Sequence, residues 1–448
     1  MRSNPVFQGW DCRGRQKRSL AMITSFQNQS DFMPTDDFNE KANLKAGQRE
    51  VRETHAGQTE EDQTAAVQLS NIVSQAVKSR ATDIHLEVEE NGPKLRYRIN
   101  GILYEFPAPS ADIYPRIISR LKVLSELDVS EKRIPQSGYA SYRSGDRQID
   151  MRISVFPSIF GESSAIRVLD RNNIVLGFDR LGFSPEMLPQ YLRLLELTSG
   201  MILVTGPTGG GKTTTLYASL NKIRTSRKKV ITLEDPVEYH ISGVTQGQIN
   251  PKAGFTFAAG LRSILRQDPN VVMVGEIRDT ETAATAMQIS LTGQMVFATL
   301  HTNTAPGAIT RLLDMGIEPY LVGSSLLGVI NQTLVGHVCQ RCKEEYQPEP
   351  DILAETAGDL EKFGKIKFFR GKGCPNCSQS GYQGRIGLYE LMVINSRIRA
   401  AILRKPSTEE ITGVALESGM ITIRQDGLKK VADGIVTIED MVQVTRRE

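Results

Sequence analysis

The sequence predicts an α/β domain built on a parallel sheet with helices on both faces, preceded by a small α+β domain. Three observations carry this expectation. From Gly182 onward, short apolar runs alternate with helical patterns. One of those runs, Met201 to Thr205, enters a glycine-rich loop that leads straight into a helix. Before Asp170, the strand-like alternation is instead grouped into hairpins.

Composition sets the outer limits. The chain has 448 residues, too many for one core, and so predicts about two to four domains. Its formal net charge of +3 gives no overall basic field that would argue for nucleic acid. No stretch reaches the roughly 20 apolar residues of a membrane span, and the first residues lack the apolar core of a signal peptide. A cytosolic location is therefore expected. Four of the five cysteines fall in two CxxC pairs, which suits metal ligation in a reducing compartment better than a disulfide framework. Cys12 is unpaired and is assigned no role.

Residues 1–60 are polar, without sustained periodicity, and read as a disordered segment. The basic cluster Arg13, Arg15, Lys17 and Arg18 within it reads as a solvated tail rather than a lipid contact. In the α+β domain, 61–170, Ala65, Leu69, Ile72, Val73 and Ala76 recur at helical spacing. Ile84, Leu86 and Val88 alternate, as do Leu95, Tyr97 and Ile99, across an Asn91-Gly92 turn, so these form a hairpin. A helix from Ile113 to Leu127 follows, then strands Tyr139 to Arg143 and Ile149 to Val155, turning at Gly145-Asp146. A linker spans 171–182.

The core, 183–335, opens with a helix near Pro185 to Leu197. Strands are expected at Met201 to Thr205, Val230 to Leu233, Val271 to Val274 and Met295 to Thr299, with helices from Lys212 and through Ala283 to Leu291. Beyond Leu300 the pattern reads as mostly helical, interrupted by a cysteine segment, 336–395, and closed by a helical segment, 396–448.

The loop itself, Gly206-Pro207-Thr208-Gly209-Gly210-Gly211-Lys212-Thr213, fits the phosphate-binding pattern G-x-x-x-x-G-K-[ST]. Glycines let successive N–H groups turn inward around phosphate oxygens, and the helix start adds partial positive charge behind them. Lys212 is then expected to reach the β- and γ-phosphates, Thr213 to hold a magnesium ion, and Thr214 to complete the loop. A magnesium nucleoside triphosphate is the implied ligand.

Val271 to Val274 runs into Gly275-Glu276, and Ile231 to Leu233 into Glu234-Asp235. An acid after an apolar strand is ordinarily a surface residue. Following a phosphate loop by a full βαβ interval, Glu276 instead reads as an acid that binds the magnesium shell or orients and deprotonates the attacking water, with Glu234 beside it. His301 ends another strand on the same edge, where it is placed to sense the γ-phosphate.

Cys339-Gln340-Arg341-Cys342 and Cys374-Pro375-Asn376-Cys377 lie roughly thirty residues apart. Two such turns close a four-thiolate tetrahedral site, and with no further ligand in evidence the zinc is read as structural.

Taken together, seven blocks resemble the assembly ATPases of type II secretion systems and type IV pili. They are Ala81 to Glu87, Glu131 to Gln136, Gly206 to Leu216, Leu233 to Tyr239, Arg266 to Pro269, Val274 to Asp279 and Thr299 to Asn303. The segment Gly381 to Glu390 is similar to the zinc-binding stretch of the same family. The resemblance covers nearly everything from Ala65 onward. It implies a RecA-like core with bound ATP, Mg2+ and Zn2+, and an Asp box at Glu234 to Glu238. It also implies a homo-hexameric ring, cytoplasmic and peripheral at the inner membrane.

The implied partners are an inner-membrane platform protein and a cytoplasmic docking domain, with a phospholipid surface near and no direct nucleic acid. In such a ring, Arg152 and Arg167 of the N-terminal domain complete the ATP site. A short polar segment stands where the family carries a larger N-terminal docking domain. Retraction motors of the superfamily normally lack the tetracysteine insert, so Cys339 and Cys377 argue for assembly. Four departures stand out: Gly210 for the usual Ser, Gln294 for His, and Thr333 and Gly336 for arginines. The rivals are a DNA-uptake or conjugative-pilus motor and a zinc-ribbon nucleic-acid-binding module with a vestigial nucleotide site. The complete set of carboxylates, and the lack of a basic, aromatic-rich groove, weigh against the module.

Overall fold

The computed structural model describes residues 60–446, apart from positions 80, 100, 145–146, 171–176, 362–365 and 378. The polar segment expected at 1–60 lies outside the described residues except for its last position, as do the Gly145-Asp146 turn and the first half of the expected linker.

The N-terminal part is built from α1 (Glu60–Lys78), β1 (Ala81–Glu89), β2 (Gly92–Ile99), β3 (Ile102–Phe106), α2 (Tyr114–Leu124), β4 (Gln136–Ser144), β5 (Arg147–Ser158) and β6 (Gly161–Asp170). Its six strands form one antiparallel sheet in the order β3-β2-β1-β6-β5-β4. Alternation decides the faces. Ile84, Leu86, Leu95, Tyr97, Met151, Ile153 and Ile166 point to one side, where they form a core with Leu69, Val73 and Ala76 of α1 and Ile117 and Leu121 of α2. The Tyr97 hydroxyl donates to the Ile72 carbonyl at 2.9 Å and so ties sheet to helix. Strands β3 and β6 are additions to the sequence expectation. The former is an edge strand with no buried residue, and the latter opens on Glu162-Ser163-Ser164, which masks its period.

The second part continues with α3 (Phe178–Leu181), α4 (Met187–Leu195), β7 (Gly200–Thr205), α5 (Lys212–Ile223), β8 (Val230–Glu234), β9 (Thr245–Gln248), α6 (Phe257–Ile264), β10 (Val271–Val274), α7 (Thr280–Leu291) and β11 (Met295–Leu300). Then come α8 (Ala305–Asp314), α9 (Pro319–Ser325), β12 (Leu326–Val338), β13 (Lys343–Tyr346), α10 (Pro350–Leu360), β14 (Phe368–Gly371) and β15 (Tyr382–Val393). Helices α11 (Ser396–Ile402), α12 (Thr408–Glu417), α13 (Ile423–Ala432) and α14 (Ile438–Thr445) close the chain.

Seven of these strands make one sheet, ordered β15-β12-β7-β11-β10-β8-β9. All its pairings are parallel except β12 with β15. Every residue of β7, β8, β10 and β11 is buried, as a strand covered by helices on both faces requires. One face packs on α6, α7, α8, α9, α11 and α12, the other on α4 and α5.

The expectation of a mostly helical chain beyond Leu300 is corrected by β12 and β15, which pair over most of their length and extend the sheet. In β12 the apolar run is interrupted by the buried polar residues Asn331-Gln332-Thr333, which disguise a central strand as a polar segment. Strand β12 ends at Val338, the residue before Cys339, so the cysteine segment grows directly out of the sheet.

Behind β15, α13 carries a buried ion pair. Asp426 accepts from Lys430 and from the Tyr389 N–H at 2.8 Å, and the exposure of Asp426 and Lys430 is 0% and 6%. Asp426→Ala should destabilise the fold by about 3–5 kcal/mol, because it strands a buried ammonium group and a strand N–H. Chemical denaturation of the purified variant measures this.

Candidate functional site

The glycine loop leaves β7 at the carboxyl edge of the sheet. Gly206, Gly209 and Gly211 have φ values of 134°, 78° and 85°, which L side chains rarely adopt. At Gly206 space forbids a side chain as well, since a Cβ there would lie 2.0 Å from the Gln332 carbonyl oxygen. At Gly210 a Cβ would press on the Pro207 and Gln332 oxygens at 3.0 and 3.1 Å, so the glycine that departs from the family pattern relieves a close approach.

Pro207, Thr208 and Gly209 are exposed, and Thr213 and Thr214 occupy the first turn of α5. The N–H groups of such a turn have no intrahelical acceptor and face an anion readily. Lys212 folds back over the loop, donating to the Gly206 and Pro207 carbonyls at 2.8 and 2.9 Å. Burial lowers its pKa, opposed by the charge of Glu276.

Register places the remaining residues on the same edge. Leu300 pairs with Thr205, Ala298 with Val274, and Val274 with Leu233, so the chain leaves β7, β8, β10 and β11 side by side. Glu276 meets His301 there, Oε1 to Nε2, at 3.0 Å. Its other oxygen accepts from Arg278 Nε at 2.7 Å, and Arg278 reaches on to Asp235 at 3.4 Å. The loop carrying Glu276 is pinned to β11 by Thr299, whose hydroxyl donates to the Gly275 carbonyl at 2.5 Å.

Glu234 is differently placed. It is 3% exposed and accepts from the Tyr217 hydroxyl of α5, from Thr232 at 2.5 Å and from Gln246 of β9 at 3.1 Å. Burial pushes its pKa up, against these hydrogen bonds.

Arg152 and Arg167 sit opposite each other on β5 and β6. They belong to a row across the polar face of the N-terminal sheet, Tyr139, Arg152, Arg167, Asp83 and Arg98. Arg167 lies 3.3 Å from Asp83, and the Arg152 guanidinium lies 6.0 Å from the Tyr139 ring centroid. Among the described residues, no hydrogen bond or ion pair joins either arginine to the glycine loop.

The four cysteines converge, with all sulfur atoms within 4.8 Å of one another. Cys339 to Cys374, Cys342 to Cys377 and Cys374 to Cys377 are 3.9, 3.8 and 3.7 Å apart. A tetrahedral zinc with Zn–S bonds of about 2.3 Å needs edges of about 3.8 Å, so the donor set fits that ion. The N–H groups of Gly373 and Cys374 donate to the Cys342 and Cys377 sulfurs at 3.3 and 3.2 Å, as thiolates require.

A profile of the Type II/IV secretion system protein family matches residues 58–443. This chain belongs to that family. It is 44% identical over 438 residues to "Type II secretion system protein E" of Pseudomonas aeruginosa, covering 97% of this chain and 87% of the relative. It is 45% identical over 387 residues to "Type II secretion system ATPase E" of Vibrio cholerae, covering 86% of this chain and 76% of the relative. Among solved structures, the pilus retraction motor PilT with bound ADP aligns at a TM-score of 0.60 and 26% identity, over 84% of this chain and 97% of PilT.

Sequence reasoning about this secretion-family chain missed Arg278, Tyr217 and Gln246. Arg278 stands two positions after Glu276, a spacing that could have flagged it. Tyr217 and Gln246 reach Glu234 only through the fold.

The environment of Glu234 has a measurable consequence. Its pKa is raised above the ordinary 4.5, so the stability it contributes is complete below that value and is lost as pH rises through the folded-state pKa. The stability advantage of wild type over Glu234→Gln should therefore shrink over the range from pH 4.5 upward. Urea midpoints of both proteins across that range provide the check.

Proposed function

We propose that this chain is an ATP-hydrolysing motor of a secretion or pilus machine, working as a homo-hexamer on the cytoplasmic side of the inner membrane. The observation that carries the reading is the shared sheet edge: the glycine loop, Lys212, Glu276 and His301 leave adjacent strands of one sheet. The kinship with a secretion ATPase over most of the chain supports the same reading. Among the described residues, no helix is long and apolar enough to cross a membrane.

In this reading the β- and γ-phosphates take the loop N–H groups and the first turn of α5. Lys212 exchanges its two carbonyl partners for phosphate oxygens. Thr213 is the residue that would hold magnesium, which supplies charge neutralisation between the phosphates. Glu276 orients a water and accepts its proton as the water oxygen bonds to the γ-phosphorus. The bond from that phosphorus to the β–γ bridging oxygen breaks, and ADP and phosphate leave. His301, already bonded to Glu276, reports the γ-phosphate to that carboxylate. Glu234, buried and bonded on three sides, braces β8, β9 and α5 beside it. Arg152 and Arg167 supply cationic charge when the N-terminal sheet closes on a nucleotide.

The four cysteines hold a structural zinc that ties the ends of β12 and β15. The work of hydrolysis passes to a membrane platform protein through a docking domain. We assign an N-terminal domain, 61–170, a linker, 171–182, and a core from 183 whose sheet takes in β12 and β15, so that the cysteine segment first bounded as 336–395 is an insertion between these two core strands, followed by the helical segment 396–448.

Lys212→Ala should abolish measurable ATP binding. Glu276→Gln should retain binding while turnover falls by about 10²- to 10⁴-fold, because the water loses its base. Equilibrium binding and steady-state hydrolysis separate the two effects. Undiminished hydrolysis by Glu276→Gln would move the base to Glu234, and ATP binding by Lys212→Ala would remove the phosphate assignment of the loop.

Cys342→Ser should lose the bound zinc and lower the melting temperature, since a structural zinc contributes folding free energy directly. Elemental analysis of protein purified without chelator decides it, with one zinc per chain expected in the wild type.

A further inference from the structure

We infer that Asn331 and Gln332, adjacent on β12, are positioning residues that hold the two phosphate-facing loops in fixed relation. Consecutive strand residues point to opposite faces, so one dipeptide reaches two loops. The Gln332 amide donates to the Gly210 carbonyl at 2.6 Å, while its own backbone carbonyl presses on Gly206. A Cβ at Gly211 would lie 3.1 Å from the same amide nitrogen, so the residue touches the glycine loop at three points. Asn331 serves the other loop. Its amide donates to the Asn303 carbonyl at 2.8 Å, two residues beyond His301, and its oxygen accepts from Thr205 at 3.2 Å.

Both side chains are almost fully buried, with 2% and 1% exposure. Burying an amide is unfavourable unless its hydrogen bonds are made, and the Gln332 Oε1 has no partner among the described residues. An apolar residue would fill the same space without that penalty. What Gln332 supplies is the N–H donor that holds the Gly210 carbonyl toward β12, so that neighbouring loop N–H groups stay aimed at phosphate. Asn331 fixes the loop that carries His301, and through His301 the orientation of Glu276.

This inference rests on the ATPase reading above and predicts a division of effects. Gln332→Met keeps length and apolar volume but removes the donor. It should weaken binding of Mg-ADP about tenfold while turnover at saturating ATP stays close to wild type. Asn331→Asp keeps the acceptor for Thr205 but loses the donor to Asn303. It should lower turnover about tenfold and leave Mg-ADP affinity close to wild type. The measurements are Mg-ADP titration, kcat against KM for ATP, and the melting temperature, all on the full chain with its zinc.

Wild-type affinity in folded Gln332→Met, or wild-type turnover in folded Asn331→Asp, overturns the assignment of that residue. Affinity and turnover falling together in both variants shows a merely structural role and overturns the inference. Gln332→Glu, also without the donor, replaces Gln332→Met if that variant does not fold, and is expected to lose affinity in the same way. A wild-type chain that binds no nucleotide fails the ATPase reading itself, an outcome separate from wild-type binding with unaffected variants.

Discussion

The close approach of β12 to the glycine loop is the contact on which the rest of the structure depends. The Gln332 carbonyl lies where a Gly206 side chain would have to be, which confines that position to glycine and fixes the exit of the loop from β7. The same strand pairs in parallel with β7 and antiparallel with β15, so it joins the nucleotide-facing sheet to the C-terminal elements. It ends at Val338, beside the first cysteine pair, and β15 begins shortly after the second. A metal held by those thiolates would clamp both strands of the ladder at one end. Register along a strand is all-or-none, since a one-residue slip inverts every side chain. A clamp at the cysteines thereby also fixes which residues of β12 face the loop.

Two acids at the same sheet edge meet opposite environments. Glu234 follows β8 into a pocket closed by Tyr217, Thr232 and Gln246, where burial favours its protonated form. Glu276 stands further out, 22% exposed at its side chain, between His301 and Arg278. Environments that separate two nearby carboxyl groups commonly separate their roles. The buried one is suited to bracing strands, and the partly open one to meeting water and a γ-phosphate. Nothing in the local sequence distinguishes them, because both follow an apolar strand in the same way.

Much of the fold and part of the site were legible in the sequence for identifiable physical reasons. Strands β7, β8, β10 and β11 are buried on both faces, so they appear as uninterrupted apolar runs. The glycine loop and cysteine pairs declare themselves because their chemistry needs fixed residue types at fixed spacing. Strands β3, β6 and β9 were not legible. The first is an edge strand without a buried residue, the second starts on polar residues, and the third is Thr-Gln-Gly-Gln. Strand β12 hid for the opposite reason. It lies deep in the sheet, yet its Asn331 and Gln332 satisfy backbone groups of other loops, which only the assembled fold reveals. The contacts around Glu234 likewise join α5, β8 and β9, elements that are separate in the chain.

Under the proposed function, the arginine row on the N-terminal sheet is kept ready without being committed. Arg167 is 57% exposed at its side chain and paired with Asp83, itself close to Arg98 at 3.9 Å. An exposed pair of this kind contributes only about 0–1 kcal/mol, so releasing Arg167 to another anion costs little. The pair nevertheless holds the guanidinium on the open face, at the strand position opposite Arg152. A triphosphate offers more charge and better hydrogen-bond geometry than one carboxylate shared by two arginines. Under the proposed function, exchange of Asp83 for phosphate therefore runs toward the nucleotide once the domains meet. The weakness of the ion pair is then what lets hydrolysis depend on domain position, because a buried and fully satisfied Arg167 would not exchange.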